Sequence, residues 1–325
     1  MKVGLFHQVA VGSISDAALV AGIAEKYGYN SLRFSQSLRI SPQIAIATLA
    51  SDFKKLTFGT AVSLMGAGSP AFYALESRAI SQATSGRYAL GLGLGERASW
   101  RLLAGGSPFP ASPLKFSEEY VDCVKSMWIR GQSNFSGEII SASLDDGTLG
   151  FGASSEGSLL MAALSPGMSR VAGRVADGII TWLTPPAHIS TILGPALLSG
   201  NCVRPQIVSL VPAINSKSRT FCHDALLRMI GPHLTRPHYR RMLDTSGAAS
   251  LSASVDEVVT KLLDSVVVWG SERSVEHRFA EYSSAGCTEL ALSIMSIQPS
   301  FLRLELGAER FGSIFRTSFS TRRQQ

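Results

Sequence analysis

The sequence predicts a (β/α)8 TIM barrel with insertions. Short apolar stretches of strand length alternate with helical stretches from one end of the 325 residues to the other. About eight strand–helix units are present, which is the number in a barrel, and no shift in composition separates a second domain. We therefore expect a single domain over residues 1–325. A doubly wound open sheet is the main alternative, because it is built from the same alternating units.

The predicted strands are apolar runs bounded by glycine, proline, serine or charged residues. We expect them at 3–6, 32–34, 56–62, 88–92, 159–164, 179–183, 206–211 and 289–294. The stretch 134–144 is expected to be a small irregular segment or a hairpin outside the barrel. The stretch 221–269 is too long for one crossover, so it is expected to be a helical lid inserted between strands seven and eight.

Several predicted helices begin at a serine followed by proline, which supplies an N-cap hydroxyl and then a residue suited to the first helical position. This pattern occurs at Ser41-Pro42, Ser69-Pro70 and Ser165-Pro166. A first helix is indicated by apolar residues at helical spacing before Gly28, and a long helix by those between 116 and 127. Ser271 is expected to cap the helix that precedes the last strand.

Composition limits the class of protein. The chain is 45% hydrophobic and 17% charged, with a net charge of +6 but no long basic run. That balance favours an anionic ligand over nucleic acid. The four cysteines are far apart and have no metal-ligand spacing, so we expect no metal and reduced thiols in a cytoplasmic protein. No signal peptide and no membrane span are predicted.

Polar residues at predicted strand ends are the candidates for chemistry, since catalytic groups in barrels lie there. His7 is the only histidine at such an end; it is either our acid/base candidate or a structural histidine whose hydrogen bonds are satisfied. Glu96 follows Gly95 after the fourth strand; it is either a protonated acid or a surface carboxylate paired with Arg97 or Arg101. Two tryptophans, Trp100 and Trp182, either wall the substrate site or pack in the core.

The start of the helix after the fifth strand is the candidate phosphate site. Ser165 caps this helix, and Gly167 lets backbone come close to a ligand. Free N–H groups at a helix start favour an anion such as phosphate. An ordinary capped helix that binds nothing is the alternative.

These stretches resemble the luciferase-like flavin and deazaflavin oxidoreductases. The similarity lies in AALSPGMSRVAGRVADGIITWLTPP (162–186), GTAV (59–62), QATSGRYALGLGLGE (82–96), YRRMLDTSGAAS (239–250) and GSERSVEHRFAEYSSAGCTEL (270–290). The last two look like the subgroup that uses coenzyme F-420. The resemblance covers nearly the whole chain and implies a barrel with insertions, usually a homodimer.

The resemblance also implies roles for particular residues. Ser165, Gly167 and Met168 would hold the cofactor phosphate, and a cis peptide bond between Ala61 and Val62 would support the cofactor ring from behind. The alternative at Ala61 and Val62 is an ordinary buried strand. The same cofactor site would include three further residues at strand ends, Gln36, Ser63 and Gly95. In some deazaflavin members, the glutamate that matches Glu96 donates a proton.

The chain departs from the family pattern at three places. Gln36-Ser37 replaces a polar pair that is often Asp-His, and Gly68-Ser69-Pro70 replaces Arg-His-Pro. Gly167 stands where the family usually has lysine or arginine. The first two changes remove ionisable groups from the mouth of the barrel, so the family's usual acid/base assignments do not transfer directly.

Three functions follow as hypotheses. The first is an F-420-dependent oxidoreductase that transfers a hydride between the deazaflavin and a small organic substrate. The second is an FMN-dependent monooxygenase supplied with reduced flavin by a separate reductase. The third is a barrel that has lost catalysis and only binds a ligand. For the first, a basic cluster on the lid would meet the acidic cofactor tail or an anionic substrate: His233, His238, Arg236, Arg240 and Arg241. The alternative is that these residues form a helix face that only contacts water.

Overall fold

Eight parallel strands close into a barrel in the computed structural model, which describes residues 1–7, 12–132, 134–143, 156–296 and 300–320. The strands are β1 (Lys2–His7), β2 (Ser31–Phe34), β3 (Thr57–Thr60), β4 (Ser63–Leu64), β5 (Tyr88–Gly93), β6 (Phe135–Ser136), β7 (Ser141–Ala142), β8 (Ser158–Ala162), β9 (Gly178–Trp182), β10 (Gln206–Ile214) and β11 (Glu289–Met295). The order around the barrel is β3-β2-β1-β11-β10-β9-β8-β5.

A pairing between β3 and β5 completes the ring, with Gly59 opposite Ala89. The predicted (β/α)8 barrel is therefore confirmed, and an open sheet is excluded because both of its edges would have to be unpaired. β4 continues the third barrel strand and pairs with β5. The short strands β6 and β7 form a separate antiparallel hairpin within the stretch 134–144, where an irregular segment or hairpin was expected. Residue 144, the predicted end of that stretch, lies outside the described residues.

Helices follow the strands on the outside of the barrel. They are α1 (Ile14–Lys26), α2 (Pro42–Leu49), α3 (Pro70–Thr84), α4 (Arg97–Leu103), α5 (Pro113–Trp128), α6 (Pro166–Val175), α7 (Pro186–His188), α8 (Gly194–Leu198), α9 (Arg219–Leu234), α10 (Pro237–Thr245), α11 (Val255–Ser265), α12 (Glu272–Ser284) and α13 (Phe301–Ser320). A 3₁₀ turn (Met65–Ala67) follows β4, and a π-helical turn (Ile189–Leu193) joins α7 to α8.

Local caps form where the serine–proline pairs predicted them. The hydroxyl oxygens of Ser41, Ser69 and Ser165 each accept the backbone N–H three residues further on, at 3.2–3.4 Å. Ser271 caps α12 in the same way. These helix starts are set by adjacent residues, which explains why they were predictable.

The barrel strands begin within one residue of their predicted starts, but two of them differ more clearly in extent. The third was expected to run unbroken over 56–62, but it ends at Thr60 and resumes at Ser63 because the peptide bond between Ala61 and Val62 is cis. The seventh was expected to end at 211, but it continues to Ile214, since that residue still pairs with Met295 on the neighbouring strand.

The barrel interior can be identified from a contact between strands that are not neighbours. The rings of Phe6 on β1 and Trp182 on β9 meet edge to face, with centroids 5.7 Å apart. Side chains alternate along a strand, so Gly4 and, by register, Arg33 also point inward. Below the aromatic pair, Arg33 and Glu289 form a buried ion pair inside the barrel.

Four helices, α9 to α12, lie in the chain between β10 and β11, and the first three, α9 to α11, occupy the region 221–269 that was expected to be a lid. Within the described ranges, no helix is both long and apolar enough to cross a membrane, and no cluster of His, Cys, Asp or Glu suits a metal ion. The four cysteines are unpaired. Cys202 is half-buried and the other three are buried.

Candidate cofactor and substrate site

The wall of the barrel mouth is built where β5 passes the break in the third strand. A Cβ atom at Gly93 would lie 2.5 Å from Cγ2 of Val62, and one at Gly91 would lie 2.2 Å from the carbonyl oxygen of Thr60. Only glycine permits so close an approach of β5 to this segment. Gly95 then takes a left-handed conformation, with φ of 73°, and turns the chain into α4.

The cis peptide bond between Ala61 and Val62 is present, as the resemblance implied. Backbone hydrogen bonds hold this segment: the N–H of Ala61 donates to the carbonyl of Phe34 at 2.8 Å, and the N–H of Gln36 donates to that of Val62 at 3.1 Å. The hydroxyl of Ser63 is fully buried and accepts a hydrogen bond from the amide of Gln43 at 2.6 Å. These predicted cofactor residues therefore come together at one side of the mouth.

The predicted phosphate site lies on the next strand of the barrel, because β8 is the neighbour of β5 and leads into α6. Ser165 is exposed and caps α6 through the N–H of Met168. A Cβ at Gly167 would meet only the methyl groups of Leu114, the nearer at 3.3 Å. The first turn of α6 thus presents open backbone to the side of the mouth, which suits an anion.

The two candidate tryptophans have different environments. The indole N–H of Trp100 donates to the carbonyl of Ser107 at 3.0 Å, and its ring packs edge to face on Phe109 and Phe116. Trp182 ends β9 inside the barrel, is 9% exposed, and its Nε1 has no hydrogen-bond acceptor within the described ranges. A buried donor without an acceptor is costly, so Trp182 is suited to a ligand that carries one.

The two predicted acid/base residues are placed differently. His7 ends β1, but its side chain lies outside the described part of the chain. Glu96 is the N-cap residue of α4, and its carboxylate forms an ion pair with Arg236. The partner is thus neither Arg97 nor Arg101. The guanidinium of Arg97 instead lies over the ring of Phe109, 4.6 Å from its centroid.

Arg236 also contacts His233, with 2.5 Å between Nη1 of the arginine and Nδ1 of the histidine. Burial, together with the charges of Arg236 and His238, lowers the pKa of His233 to about 4, so the imidazole is neutral near pH 7 and accepts this hydrogen bond. Burial and the same arginine also lower the pKa of His238. The ring of Tyr239 lies against both histidines.

The other two lid arginines do not share this arrangement. Arg240 donates to the backbone carbonyls of Leu234 and Ala253, both at 2.7 Å, and so ties α10 to its flanking segments. Arg241 is exposed. Of the three arginines expected to meet an anionic ligand, Arg236 is the one joined to the barrel mouth.

Sequence reasoning missed Gln43 and the link between Glu96 and Arg236. Gln43 is 4% exposed on α2 among apolar residues, and a polar residue on the buried face of a helix is the signal that would have found it. No local signal pairs Glu96 with Arg236, because their contact depends on closure of the barrel between distant segments.

Comparisons with known proteins agree with this geometry. The family model described as luciferase-like monooxygenase matches residues 1–289. No curated protein matches the sequence directly. Many solved structures share the fold.

Three of these structures have a cofactor in their description. An F-420-dependent secondary alcohol dehydrogenase with an F-420–acetone adduct has a TM-score of 0.77 at 15% identity, over 96% of this chain and 97% of that one. The coenzyme F-420-dependent tetrahydromethanopterin reductase of Methanopyrus kandleri has a TM-score of 0.73 at 15% identity, over 96% and 98%. The oxygenating constituent of 3,6-diketocamphane monooxygenase from Pseudomonas putida, in complex with FMN, has a TM-score of 0.71 at 17% identity, and the match covers 96% of each chain. At such identities the likeness shows the fold alone.

Proposed function

Since the chain belongs to the luciferase-like monooxygenase family, we propose that it is an oxidoreductase that uses a flavin or deazaflavin, with coenzyme F-420 preferred over FMN. Such a cofactor would supply the redox chemistry when bound, while the protein binds, orients and shields it. The substrate would be a small organic molecule at the barrel mouth, close to Trp182 and Glu96.

One observation carries this proposal: two features that a ring–phosphate cofactor needs lie on neighbouring strands. The close-packed wall formed by Val62 and Gly93 lies at β5, and the open first turn of α6, at Gly167, follows β8. A planar ring can rest against the first while its phosphate reaches the second. The Nε1 of Trp182 lacks an acceptor among the described residues and fits this arrangement, because the ring systems of both cofactors carry hydrogen-bond acceptors.

The residues at the mouth would have separate tasks. Ser165, Gly167 and Met168 would bind the phosphate through the helix start, and Gln36, Ala61, Val62, Ser63 and Gly95 would form or support the surface beneath the ring. Trp100 would contribute packing behind the site, and Trp182 a hydrogen bond inside it. Glu96 and His7 remain our candidates for moving a proton to or from the substrate.

The preference for F-420 rests on similarity and on charge. The stretches 165–186 and 239–243 look closest to the deazaflavin subgroup. F-420 has a negatively charged tail beyond its phosphate, and the chain has a net charge of +6, with Arg236 at the mouth. This attraction should weaken as salt screens it.

The test is a fluorescence titration of the purified protein with F-420 and with FMN, at low and at high ionic strength. We expect tighter binding of F-420, with the larger loss of affinity for F-420 at high salt. Tight FMN binding without detectable F-420 binding would instead support the FMN-dependent monooxygenase, which would need a separate flavin reductase as a partner. Absence of binding by either cofactor would favour a barrel that has lost catalysis.

The residues at the mouth also allow the alternative of a barrel that binds a ligand without catalysis. Gln36-Ser37 lacks the ionisable pair that is usual after the second strand, and Glu96 is engaged by Arg236. Anaerobic turnover with F-420 separates the dehydrogenase from a monooxygenase, since only the latter needs oxygen. The resemblance also leads us to propose a homodimer, which light scattering would test.

A further inference from the structure

The ion pair between Glu96 and Arg236 runs across the barrel mouth. Glu96 follows β5, whereas Arg236 lies in the connection from β10 to β11. On the shorter path around the ring, β8 and β9 separate β5 from β10. The guanidinium of Arg236 therefore lies at the mouth of the barrel, next to the carboxylate that follows β5.

The guanidinium is held in a way that leaves one of its edges available. Its Nη1 contacts both Glu96 and His233. No acceptor faces Nε or Nη2 in the portion of the chain that the structure covers, and the side chain is 33% exposed. These two nitrogens form a planar fork whose geometry matches the two oxygens of a carboxylate or phosphate group.

The groups around Arg236 support anion binding at this edge. His233 accepts a hydrogen bond from the guanidinium and, being neutral, does not compete for an anion. Among the residues that the structure describes, Glu96 is the carboxylate in contact with Arg236, and it lies on the Nη1 side, away from the open fork.

We propose that the Nε–Nη2 edge of Arg236 is a receptor for an anionic group, a carboxylate or phosphate, on a ligand bound in the barrel mouth. This assignment deepens the proposed function and rests on it for the place of the cofactor. The anionic group belongs either to the substrate or to the acidic tail of the cofactor, and both sources present the same chemistry to the guanidinium.

The test uses malonate as the probe, with malonamide as its uncharged analogue, and follows the thermal unfolding midpoint of the cofactor-free protein. Binding to the folded state raises this midpoint. We expect malonate, but not malonamide, to raise it, and Arg236→Gln to weaken malonate binding at least about tenfold. The matched control is Arg228→Gln, which removes the same charge from an exposed position on α9 and should bind malonate as the wild type does. Equal malonate responses in the two variants would overturn the proposal.

A second variant, Arg236→Lys, still tests the proposal if Arg236→Gln fails to fold. Arg236→Lys keeps the positive charge but lacks the planar fork, so we expect malonate binding between that of the wild type and that of Arg236→Gln. Wild-type malonate affinity in a folded Arg236→Lys protein would also contradict the receptor. Because no cofactor is present, these outcomes do not depend on whether the protein is an oxidoreductase.

The source of the anionic group is found by repeating the titration with saturating cofactor. FMN has a phosphate but no acidic tail, whereas F-420 has both. Malonate binding that persists with F-420 identifies the receptor as a substrate site. Malonate binding that persists with FMN but is lost with F-420 identifies it as a site for the cofactor tail.

Discussion

The guanidinium of Arg33 and the carboxylate of Glu289 form a two-point ion pair inside the barrel, with N–O distances of 2.6 Å and 2.8 Å. Both side chains are almost fully buried, and the hydroxyl of Ser31 donates a further hydrogen bond to Glu289 at 2.7 Å. Gly4 and Gly59 provide the room, since a Cβ at Gly59 would lie 2.6 Å from Nη1 of Arg33. This layer of the barrel is thus filled by a charged pair in place of apolar side chains.

Removal of one member of this pair should destabilise the protein strongly. Arg33→Leu leaves the carboxylate of Glu289 buried and unpaired, and we expect a loss of about 3–5 kcal/mol in the free energy of unfolding. The control is Arg219→Leu, which breaks the pair of Arg219 with Asp264, where both side chains are 52% exposed; its expected cost is much smaller, because water already solvates both charges. Urea unfolding followed by circular dichroism measures both, and similar losses would contradict the prediction.

Two glycine-to-alanine substitutions should have opposite effects on stability. At Gly91 the new methyl group would lie 2.2 Å from the carbonyl oxygen of Thr60 and 2.5 Å from Cδ1 of Ile180, so we expect a loss of about 1–3 kcal/mol. At Gly22, inside α1, nothing lies within 4 Å of the new Cβ, and better helix propensity should stabilise by about 0.5–1 kcal/mol. Urea midpoints of the two variants test the signs, and a stabilised Gly91→Ala would refute the close approach of β5.

A carboxylate at Gly167 should impair cofactor binding without unfolding the protein. The site has room for a side chain, because only Leu114 lies near the new Cβ. In Gly167→Asp the new charge would repel the phosphate, and we expect cofactor affinity to fall by about tenfold or more. The matched control is Gly167→Asn, of nearly the same size but uncharged. If the two variants bind F-420 or FMN equally well, the phosphate does not lie at α6.

Glu96→Gln should lower turnover much more than cofactor affinity if Glu96 moves a proton. A proton-transfer group typically contributes about 10²–10⁴-fold to the rate, whereas glutamine still accepts a hydrogen bond from Arg236. His7→Ala is the parallel variant for the other candidate. Turnover is measured under saturating cofactor once a substrate is known. Wild-type rates in both variants would assign the proton transfer to water, to the substrate or to another residue.

The buried histidines should make the protein less stable in mild acid. Burial lowers the pKa of His233 from 6.5 to about 4, and it also lowers the pKa values of His188 and His238. A group whose pKa is lower in the folded state takes up its proton more readily when unfolded. Stability should therefore fall as the pH is lowered from about 6.5 to about 4.

The share of His233 in this effect can be isolated by substitution. His233→Asn should have a shallower dependence of its thermal midpoint on pH over that window, while His277→Asn, at an exposed histidine of α12, should match the wild type. Identical slopes in the three proteins would show that His233 does not contribute.

The features that the sequence predicted are those set by nearby residues. Ser165 and Pro166 fix a helix start within one turn, and the apolar run before them marks β8 whatever the rest of the chain does. The barrel itself was predictable from the count of such units. The place of the cis bond came from the resemblance, because the run 56–62 has no local feature that interrupts a strand.

The features that the sequence did not predict depend on contacts between distant segments of the chain. Arg33 and Glu289 are 256 residues apart, and neither is unusual in its own strand. Glu96 was expected to be a protonated acid or to pair with Arg97 or Arg101, but closure of the barrel brings Arg236 of the lid region to it instead. The orphaned donor of Trp182 is likewise visible only when the surrounding interior is known.

The unequal burial of the four cysteines gives the unmodified chain one convenient site for a fluorescent label. Cys123, Cys222 and Cys287 are at most 4% exposed, whereas Cys202 is half-buried in the connection between α8 and β10. Burial raises the pKa of the Cys202 thiol, so a maleimide dye would react best in mildly alkaline buffer. Two residues before it, Gly200 packs directly on Gly173 of α6. A dye at Cys202 would therefore report, in real time, movements of the helix whose opposite end forms the proposed phosphate site.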